Sequence, residues 1–157
     1  MAKKVKDATA YVCGLGFYEF SLNGEKVGDS EFAPLWSDYD KSVYYNTYDV
    51  TSQVKKGGNA IGVLLGNGFY NVQGGRYRKL QISFGAPTLR FRMVVNYEDG
   101  TSETIVSGKD WKYDFSPVLF NCIYGGEDYD ARREQKGWNM FGFKEQDWRP
   151  VVIQEAP

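Results

Sequence analysis

The sequence predicts an all-β domain, built as an antiparallel β-sandwich of two sheets or a jelly roll. Aromatic residues make up 17% of the 157 residues, and 18 glycines punctuate the chain. Both features favour strands joined by tight turns. About eight short strand patterns follow one another at fairly regular spacing, and long helical patterns are absent. The length suits one core, so we expect a single domain over residues 1–157.

The N-terminal part predicts a strand followed by a hairpin. Residues 8–14 alternate weakly between polar and apolar, and residues 17–22 alternate clearly before Asn23-Gly24. Asn-Gly is the strongest short-range signal of a β-hairpin, because both positions tolerate positive φ. Residues 32–40 mix proline, acidic and large aromatic residues without either periodicity, which indicates an ordered loop.

The next part predicts a strand, one helical turn and a central strand. Residues 43–48 are rich in strand formers. Asp49 then offers a capping oxygen for a single helical turn that the glycine pair at 57–58 would end. The apolar run 60–65 is bounded by glycines and is long enough for one strand buried on both faces. We therefore expect this run to be a central strand of a sheet.

The second half predicts a loop, another hairpin and two short strands. Residues 71–87 are polar, basic and glycine-bearing, which predicts a long loop. Residues 88–97 and 101–107 flank a Glu-Asp-Gly turn, which is typical of a hairpin with type I′ or bulged geometry. Shorter strand patterns occupy residues 111–115 and 118–123.

Large aromatic residues are spaced through the polar C-terminal tail. They are Trp138, Phe141, Phe143 and Trp148. Isolated large rings in an irregular segment need a hydrophobic seat, so we expect the tail to wrap back over the body of the domain.

The charge pattern argues against several function classes. The formal net charge is -1, and the chain contains no histidine. Because the basic residues are spread along the chain, we predict neither a nucleic-acid partner nor an anionic membrane surface. Without histidine, Ser-His and Cys-His pairings and imidazole zinc sites are excluded, so any catalysis would depend on carboxylates. Arg76, Arg78 and Lys79 lie close together, and a solvated loop is a commoner fate for them than a phosphate site.

Neither the two cysteines nor the absence of long apolar runs identifies the cellular compartment of the protein. Cys13 and Cys122 lie far apart and lack metal-ligand spacing. A disulfide and two separately buried thiols both fit, and buried thiols are the commoner arrangement. No apolar run is long enough for a signal peptide or a membrane span. A leader removed from a longer parent would also fit, so cytoplasmic and exported locations both stay open.

Two glycine-containing stretches have the character of functional sites, and we expect them to meet at one edge of the molecule. Residues 66–70 place two aromatic rings directly after the predicted central strand, where loops and ligands gather. Residues 124–132 combine glycines, acids and an arginine. Carbohydrate sites pair an aromatic face with carboxylate, amide and guanidinium groups. The candidate residues for substrate binding or interdomain contact are Trp36, Tyr39, Asn67, Phe69, Tyr70, Glu127, Tyr129, Asp130 and Arg132.

Less specific roles compete for the same residues. Tyrosine and phenylalanine rings in a sandwich more often pack in the core or at an edge. Glycoside hydrolysis would need two carboxyl groups on opposite sides of one bond. Arg132, however, offers Asp130 or Glu127 a bidentate partner that would keep the carboxylate ionised. The acids at 38–40 and 127–128 lack the spacing of a calcium loop, so we predict no metal and no cofactor.

Five blocks of the sequence, taken in order, resemble the N-terminal domain of bacterial α-L-rhamnosidases of glycoside hydrolase family 78. The blocks are residues 11–29, 36–41, 47–51, 58–70 and 123–132. Ordered matches over most of a chain are far more specific than one motif. The hairpin at 22–24 and the 49–59 stretch also resemble galactose-binding-like sandwiches attached to β-galactosidases and β-glucuronidases. Gly125 stands where family members often carry Asn, and the 73–85 loop matches no family pattern.

The resemblance implies a galactose-binding-like jelly roll that is an accessory domain of a larger multidomain glycoside hydrolase. In that family, acidic residues on an (α/α)6 barrel hydrolyse terminal α-L-rhamnosides with inversion, and this chain is too short to contain the barrel. It therefore implies a non-catalytic chain whose partners are the catalytic domain of its parent and rhamnose-containing glycans. The alternative is an autonomous carbohydrate-binding module of another glycoside hydrolase, similar to the sugar-binding domain of β-galactosidases.

Overall fold

A computed structural model describes residues 3–76 and 79–154 as a set of antiparallel strands. The strands in chain order are β1 (Val5–Leu15), β2 (Phe17–Leu22), β3 (Glu25–Lys26), β4 (Asn46–Asp49), β5 (Ile61–Gly66), β6 (Asn71–Val72), β7 (Ile82–Ser83), β8 (Thr88–Tyr97), β9 (Ser102–Val106), β10 (Lys112–Tyr113), β11 (Val118–Cys122), β12 (Gly126–Tyr129) and β13 (Arg149–Pro150). Within those two ranges the only helical element is a 3-10 turn at Ala131–Arg133. None of the described helical structure is long and apolar enough to cross a membrane.

The larger sheet has four strands in the order β4-β1-β8-β9, and all neighbours are antiparallel. Its inner face is set by strict alternation along β1, where Ala8, Ala10 and Val12 are buried and Tyr11 faces outward. The predicted strand over 8–14 is confirmed as part of this longer strand. The predicted hairpin around Gly100 is also confirmed, since it joins β8 to β9.

The smaller sheet has three strands in the order β3-β2-β5. The Asn23-Gly24 turn joins β2 to β3 with φ values of 55° and 86°. Positive φ at both turn positions is the signature of type I′, so the predicted hairpin is confirmed. The chain passes between the two sheets at Gly16, which lies between the end of β1 and the start of β2 and has φ of 116°.

The core lies between these two sheets. Phe20 of β2 is 1% exposed, and its ring centroid lies 5.3 Å from that of Phe91 on β8 and 5.9 Å from that of Tyr48 on β4. Each ring pair joins one sheet to the other. The predicted two-sheet antiparallel sandwich is therefore confirmed.

The prediction of a central strand over 60–65 is wrong. Within the described residues β5 pairs only with β2, so it ends the smaller sheet, and Leu64 is 38% exposed. The run is apolar because the C-terminal tail, and not a further strand, covers the outer side of β5. A Cβ built on Gly62 would lie 2.6 Å from Asn139 Cβ and 2.8 Å from Trp138 Cζ3.

The C-terminal tail wraps over the smaller sheet, as predicted. Asn139 Nδ2 donates a hydrogen bond to Ser21 Oγ at 3.0 Å, and Met140 lies over Gly24. The ring of Phe141 occupies the space that a side chain at Gly58 would need. The tail thus adds a third layer outside the sandwich.

Three further predictions are corrected or completed by the structure. The 71–87 stretch is not a plain loop, because β6 and β7 pair within it and Asn71 and Val72 are buried. The strand predicted over 43–48 begins only at Asn46. The turn after Asp49 forms, with Val54 N donating to the Val50 carbonyl at 3.1 Å, but no helix is present there.

The two cysteines are free thiols. Cys122 is buried and Cys13 is partly buried. Of the two arrangements that the sequence allowed, the structure therefore has separate thiols.

Candidate functional site

A cluster of five rings forms around Phe69, at the end of β5, and we call it the aromatic cluster. Trp36 stacks on Phe69 with centroids 4.7 Å apart and an interplanar angle of 11°. Phe17 and Tyr124 both meet Phe69 edge-on, each at 6.0 Å, and Phe32 lies 5.4 Å from Phe17. Trp36 is 57% exposed and Phe32 65% exposed, so the cluster is open to solvent on one side.

A second group of rings adjoins the first through the Phe69-Tyr70 peptide. Tyr39 meets Tyr70 edge-on at 5.1 Å, and Phe84 lies 5.7 Å from Tyr70. The Tyr70 hydroxyl donates to the Phe84 carbonyl at 3.2 Å. Burial raises the pKa of Tyr39, and the charge of Tyr70 adds to that rise. These tyrosines are therefore held partly by packing among themselves.

Asn67 is the centre of a side-chain network and not a free hydrogen-bonding group. Its backbone N donates to Asn121 Oδ1 at 2.9 Å, and its Nδ2 donates to the Asn121 carbonyl at 3.0 Å. Asn71 Nδ2 donates to Asn67 Oδ1 at 2.8 Å. The amide thus joins the end of β5 to β11 and β6, which orients the residues that follow it.

The acidic stretch is a strand, β12, paired with β11. Glu127 is exposed and lies opposite Asn121, the hydrogen-bond partner of Asn67, in the strand register. Tyr129 lies near the other end of β12, opposite Val118. Its hydroxyl donates to Glu134 Oε1 at 2.7 Å, and that hydrogen bond raises the pKa of Tyr129.

Asp130 and Arg132 form a bidentate ion pair directly after β12. Arg132 Nε donates to Asp130 Oδ1 and an Arg132 Nη to Oδ2, both at 2.8 Å, while the backbone N of Arg132 donates to Oδ1 at 3.1 Å. The Asp130 side chain is only 16% exposed and that of Arg132 is 89% exposed. The Arg132 hydrogen bonds hold the pKa of Asp130 below its ordinary value. The carboxylate thus caps the 3-10 turn in its ionised form.

The Asp130→Asn variant is expected to lose less stability than wild type as the pH falls. Because the folded-state pKa of Asp130 is lowered, its ionised form stabilises the fold above the unfolded-state pKa of about 3.9. That contribution is lost as pH falls through the lower, folded-state pKa. Melting temperatures measured between about pH 6 and about pH 2 should differ less between wild type and variant as pH falls.

A matched variant tests whether this effect belongs to the ion pair. Asp29→Asn removes the same charge from an exposed position. Its melting temperature should fall with pH as steeply as that of the wild type. A wild-type minus Asp130→Asn difference that stayed constant across the pH range would contradict the prediction.

The structure brings some of the predicted site residues together and separates others. Asn67 contacts the β11–β12 hairpin through Asn121, and Phe69 reaches Tyr124 in the turn of the same hairpin. The expected meeting of the 66–70 and 124–132 stretches thus occurs at the start of the second stretch. Asp130 lies at its far end, where its backbone N donates to the Pro117 carbonyl at 2.9 Å.

The candidate residues do not surround either of two concavities on the described surface. A concavity of about 400 Å³ lies between Lys3, Thr51 and Lys56, and one of about 500 Å³ lies between Val72, Gln73 and Gln81. Neither is lined by a residue of the aromatic cluster. Within the described residues no three His, Cys, Asp or Glu side chains converge as a metal-binding group.

Sequence reasoning missed the role of Arg76, which was expected to be solvated. Its guanidinium forms an ion pair with Asp128 and lies over the Phe120 ring at 5.0 Å. The hydrogen bond from Arg76 lowers the pKa of Asp128. Arg76, which follows β6 in the chain, thereby links this part of the molecule to β11 and β12. No local pattern could have shown this, because the two charges are 52 residues apart. Arg78, named with Arg76 in the sequence, lies outside the described residues.

Comparison with known proteins gives a consistent set of matches. A model of the α-L-rhamnosidase N-terminal domain family matches residues 3–157. An α-L-rhamnosidase from Formosa agariphila is 44% identical over 150 residues, which cover 93% of this chain and 16% of that protein.

Solved structures give the same result for the fold. The crystal structure of an α-L-rhamnosidase from Aspergillus terreus superposes with a TM-score of 0.92 at 37% identity, covering 100% of this chain and 18% of the other. That of the Streptomyces avermitilis α-L-rhamnosidase, complexed with L-rhamnose, gives a TM-score of 0.88 at 41% identity, covering 96% and 14%. This chain therefore spans about a sixth of the length of the proteins it matches.

Proposed function

The chain belongs to the α-L-rhamnosidase N-terminal domain family, and on that premise we propose that it is a non-catalytic module that docks against the rest of a rhamnosidase. The docking surface is the aromatic cluster. By bordering the substrate pocket of its parent, the module assists recognition of terminal α-L-rhamnosides, which the parent hydrolyses with inversion. The exposed stack of Trp36 on Phe69 is the observation that carries this proposal.

Exposure of this many rings in one place supports a contact surface. Phe32, Leu35 and Trp36 are each more than half exposed and follow one another along one loop. Contiguous apolar surface of this kind marks interaction sites on soluble proteins. The matched relatives are about six times longer than this chain, so most of each relative lies outside the matched region.

The place of the cluster in the fold fits docking against a following segment. Thr88 Oγ1 donates to Gln154 Oε1 at 3.2 Å, and Thr88 lies opposite Leu15 in the sheet register. Leu15 is two residues from Phe17 of the aromatic cluster. Residue 154 therefore lies at the same end of the sandwich as the cluster.

The charges support a non-catalytic role. A glycosidase acid needs a raised pKa so that it can hold a proton at neutral pH. Two carboxylates of the acidic stretch have the opposite shift, because Arg76 lowers the pKa of Asp128 and Arg132 lowers that of Asp130.

Direct sugar binding is the second candidate, and the geometry of Trp36 favours it. One face of its indole ring is stacked on Phe69, and 57% of the residue remains exposed. A flat, exposed ring is the usual platform for the C–H face of a pyranose. Glu127 and Arg132 are both exposed and offer a carboxylate and a guanidinium for hydrogen bonds to hydroxyls.

The double variant Trp36→Ala/Phe69→Ala, made in the full-length parent, tests both candidates. Removing a central aromatic anchor from an interface costs about 2 kcal/mol or more. We therefore expect the urea midpoint of the parent to fall, or its single transition to split in two. The 157-residue chain alone is expected to release no chromophore from a nitrophenyl α-L-rhamnoside.

The outcomes of this experiment are distinguishable. Phe115→Ala removes another ring that is more than half exposed and should leave the parent's urea midpoint unchanged. An unchanged midpoint together with a raised KM would favour sugar binding over docking. If neither the urea midpoint nor the KM changed, both docking and sugar binding would be contradicted. Turnover by the chain alone that Glu127→Gln abolishes would contradict the non-catalytic role.

A further inference from the structure

The outward side of the four-stranded sheet carries a distinct set of polar and aromatic side chains. We call this surface the outer sheet face and define it by Thr9, Tyr11, Thr47, Arg90, Arg92 and Thr104. On β1 and β8 these residues alternate with buried ones, and the strand register places Thr47 and Thr104 on the same face. None of them belongs to the aromatic cluster.

The strand register places three of these residues and Val106 in one row across the sheet. Thr47 pairs with Tyr11, Tyr11 with Arg92, and Arg92 with Val106. With neighbouring strands about 4.8 Å apart, the row is roughly 14 Å long. Tyr45, which is 63% exposed, lies beside it with its ring centroid 6.2 Å from that of Tyr11. The row is thus an extended, open platform with two tyrosine rings at one side.

The charge around Arg90 and Arg92 is positive. Arg90 and Arg92 are both exposed and leave the same face of β8, about 7 Å apart along the strand. Neither forms an ion pair within the described residues. Asp7 and Asp49 also lie on this face, opposite Asn96 and Thr9, but they are two or more residues further along the strands from the Tyr11–Arg92 row, and they accept hydrogen bonds from Asn96 and Thr51. Two guanidinium groups therefore remain available to an anion.

The composition of the face fits a saccharide better than a protein surface. Protein interfaces have an apolar core with a polar rim, whereas this face carries tyrosine, threonine and arginine around Val94 and Cys13. Tyrosine rings pack against the C–H faces of sugars, and hydroxyl and guanidinium groups hydrogen-bond to their oxygens. Arginine adds bidentate recognition of a carboxylate or a sulfate-like group.

We propose that the outer sheet face binds an anionic saccharide, with Tyr11 and Tyr45 contacting its rings and Arg90 and Arg92 its acidic groups. The acidic group is a uronate carboxylate or a sulfate ester, which present the same charge to a guanidinium. This site does not rest on the docking role of the aromatic cluster, since it uses other residues on another surface.

Calorimetric titration of the 157-residue chain at low salt tests the proposal. The probes are tetragalacturonate, its neutral methyl ester, a sulfated carrageenan tetrasaccharide and inorganic sulfate. We expect at least one anionic saccharide to bind about tenfold or more tightly than the neutral ester, because charge-assisted hydrogen bonds are lost in the ester. Arg92→Gln and Tyr11→Ala should each weaken that binding by about tenfold.

Matched variants separate the site from general charge attraction. Arg149→Gln removes the same charge from β13 and should leave binding unchanged, and melting curves establish that each variant is folded. Binding of only the uronate or only the sulfated probe supports the proposal and identifies the acidic group. The proposal is overturned if neither saccharide binds, if the ester binds equally well, if inorganic sulfate binds as tightly, or if either Arg92→Gln or Tyr11→Ala has no effect.

Discussion

Phe20→Ala is expected to lower the free energy of unfolding by about 4 kcal/mol, the usual cost of deleting a fully buried phenylalanine ring. Phe20 is 1% exposed and contacts Phe91 and Tyr48 of the opposite sheet. Its removal leaves a cavity between the two sheets, which the strands cannot close without losing their pairing. Urea unfolding followed by tryptophan fluorescence measures the loss, and the melting temperature should fall by roughly 10 °C.

Phe32→Ala is the matched control for this prediction. It deletes the same ring from a residue that is 65% exposed, so its free energy of unfolding should change by less than about 1 kcal/mol. Equal losses in the two variants would mean that the sheets are not held together by the Phe20 contacts.

Gly16→Ala is expected to lower the free energy of unfolding by about 3 kcal/mol. Gly16 has φ of 116°, which an L-alanine adopts only with strain, roughly 1–2 kcal/mol. A Cβ there would also overlap the carbonyl oxygen of Gly66, which is backbone and cannot rotate away. Overpacking of this kind adds about 1–3 kcal/mol. The same urea unfolding assay measures the effect.

Gly100→Ala separates strain from overlap. Gly100 has φ of 82°, but a Cβ there would meet nothing within 4 Å. Gly100→Ala should therefore lower the free energy of unfolding only by the backbone strain, about 1 kcal/mol. If Gly16→Ala cost no more than Gly100→Ala, the close approach of Gly16 to Gly66 would not constrain the fold.

Local signals predicted the hairpins and the alternating strands well. Asn23-Gly24 and Gly100 specify their turns because the φ values they require are available to few other residues. Alternation along β1 specifies which side faces the core, because a shift of one residue would expose every buried side chain. The same locality holds in the site, where Arg132 pairs with Asp130, two residues away and one of the two partners expected for it.

Contacts between distant segments were beyond such signals. Asn67 forms a hydrogen bond with Asn121, 54 residues away, and the identity of an asparagine does not indicate which residue it will bond to. The apolar run 60–65 looked like a central strand, yet its outer side is covered by the tail. A run of apolar residues shows only that burial is needed, and it does not show what covers it.

By itself, the sequence determined that this protein is a two-sheet antiparallel sandwich of the rhamnosidase N-terminal family, because turn chemistry, alternation and ordered motifs are properties of short stretches. Only the tertiary structure decided that Trp36 stacks on Phe69, that Arg76 pairs with Asp128, and that Asn67 bonds to Asn121. The reason is physical. Such contacts depend on how separate segments pack in space, and their free energies are set by partners that lie far away along the chain.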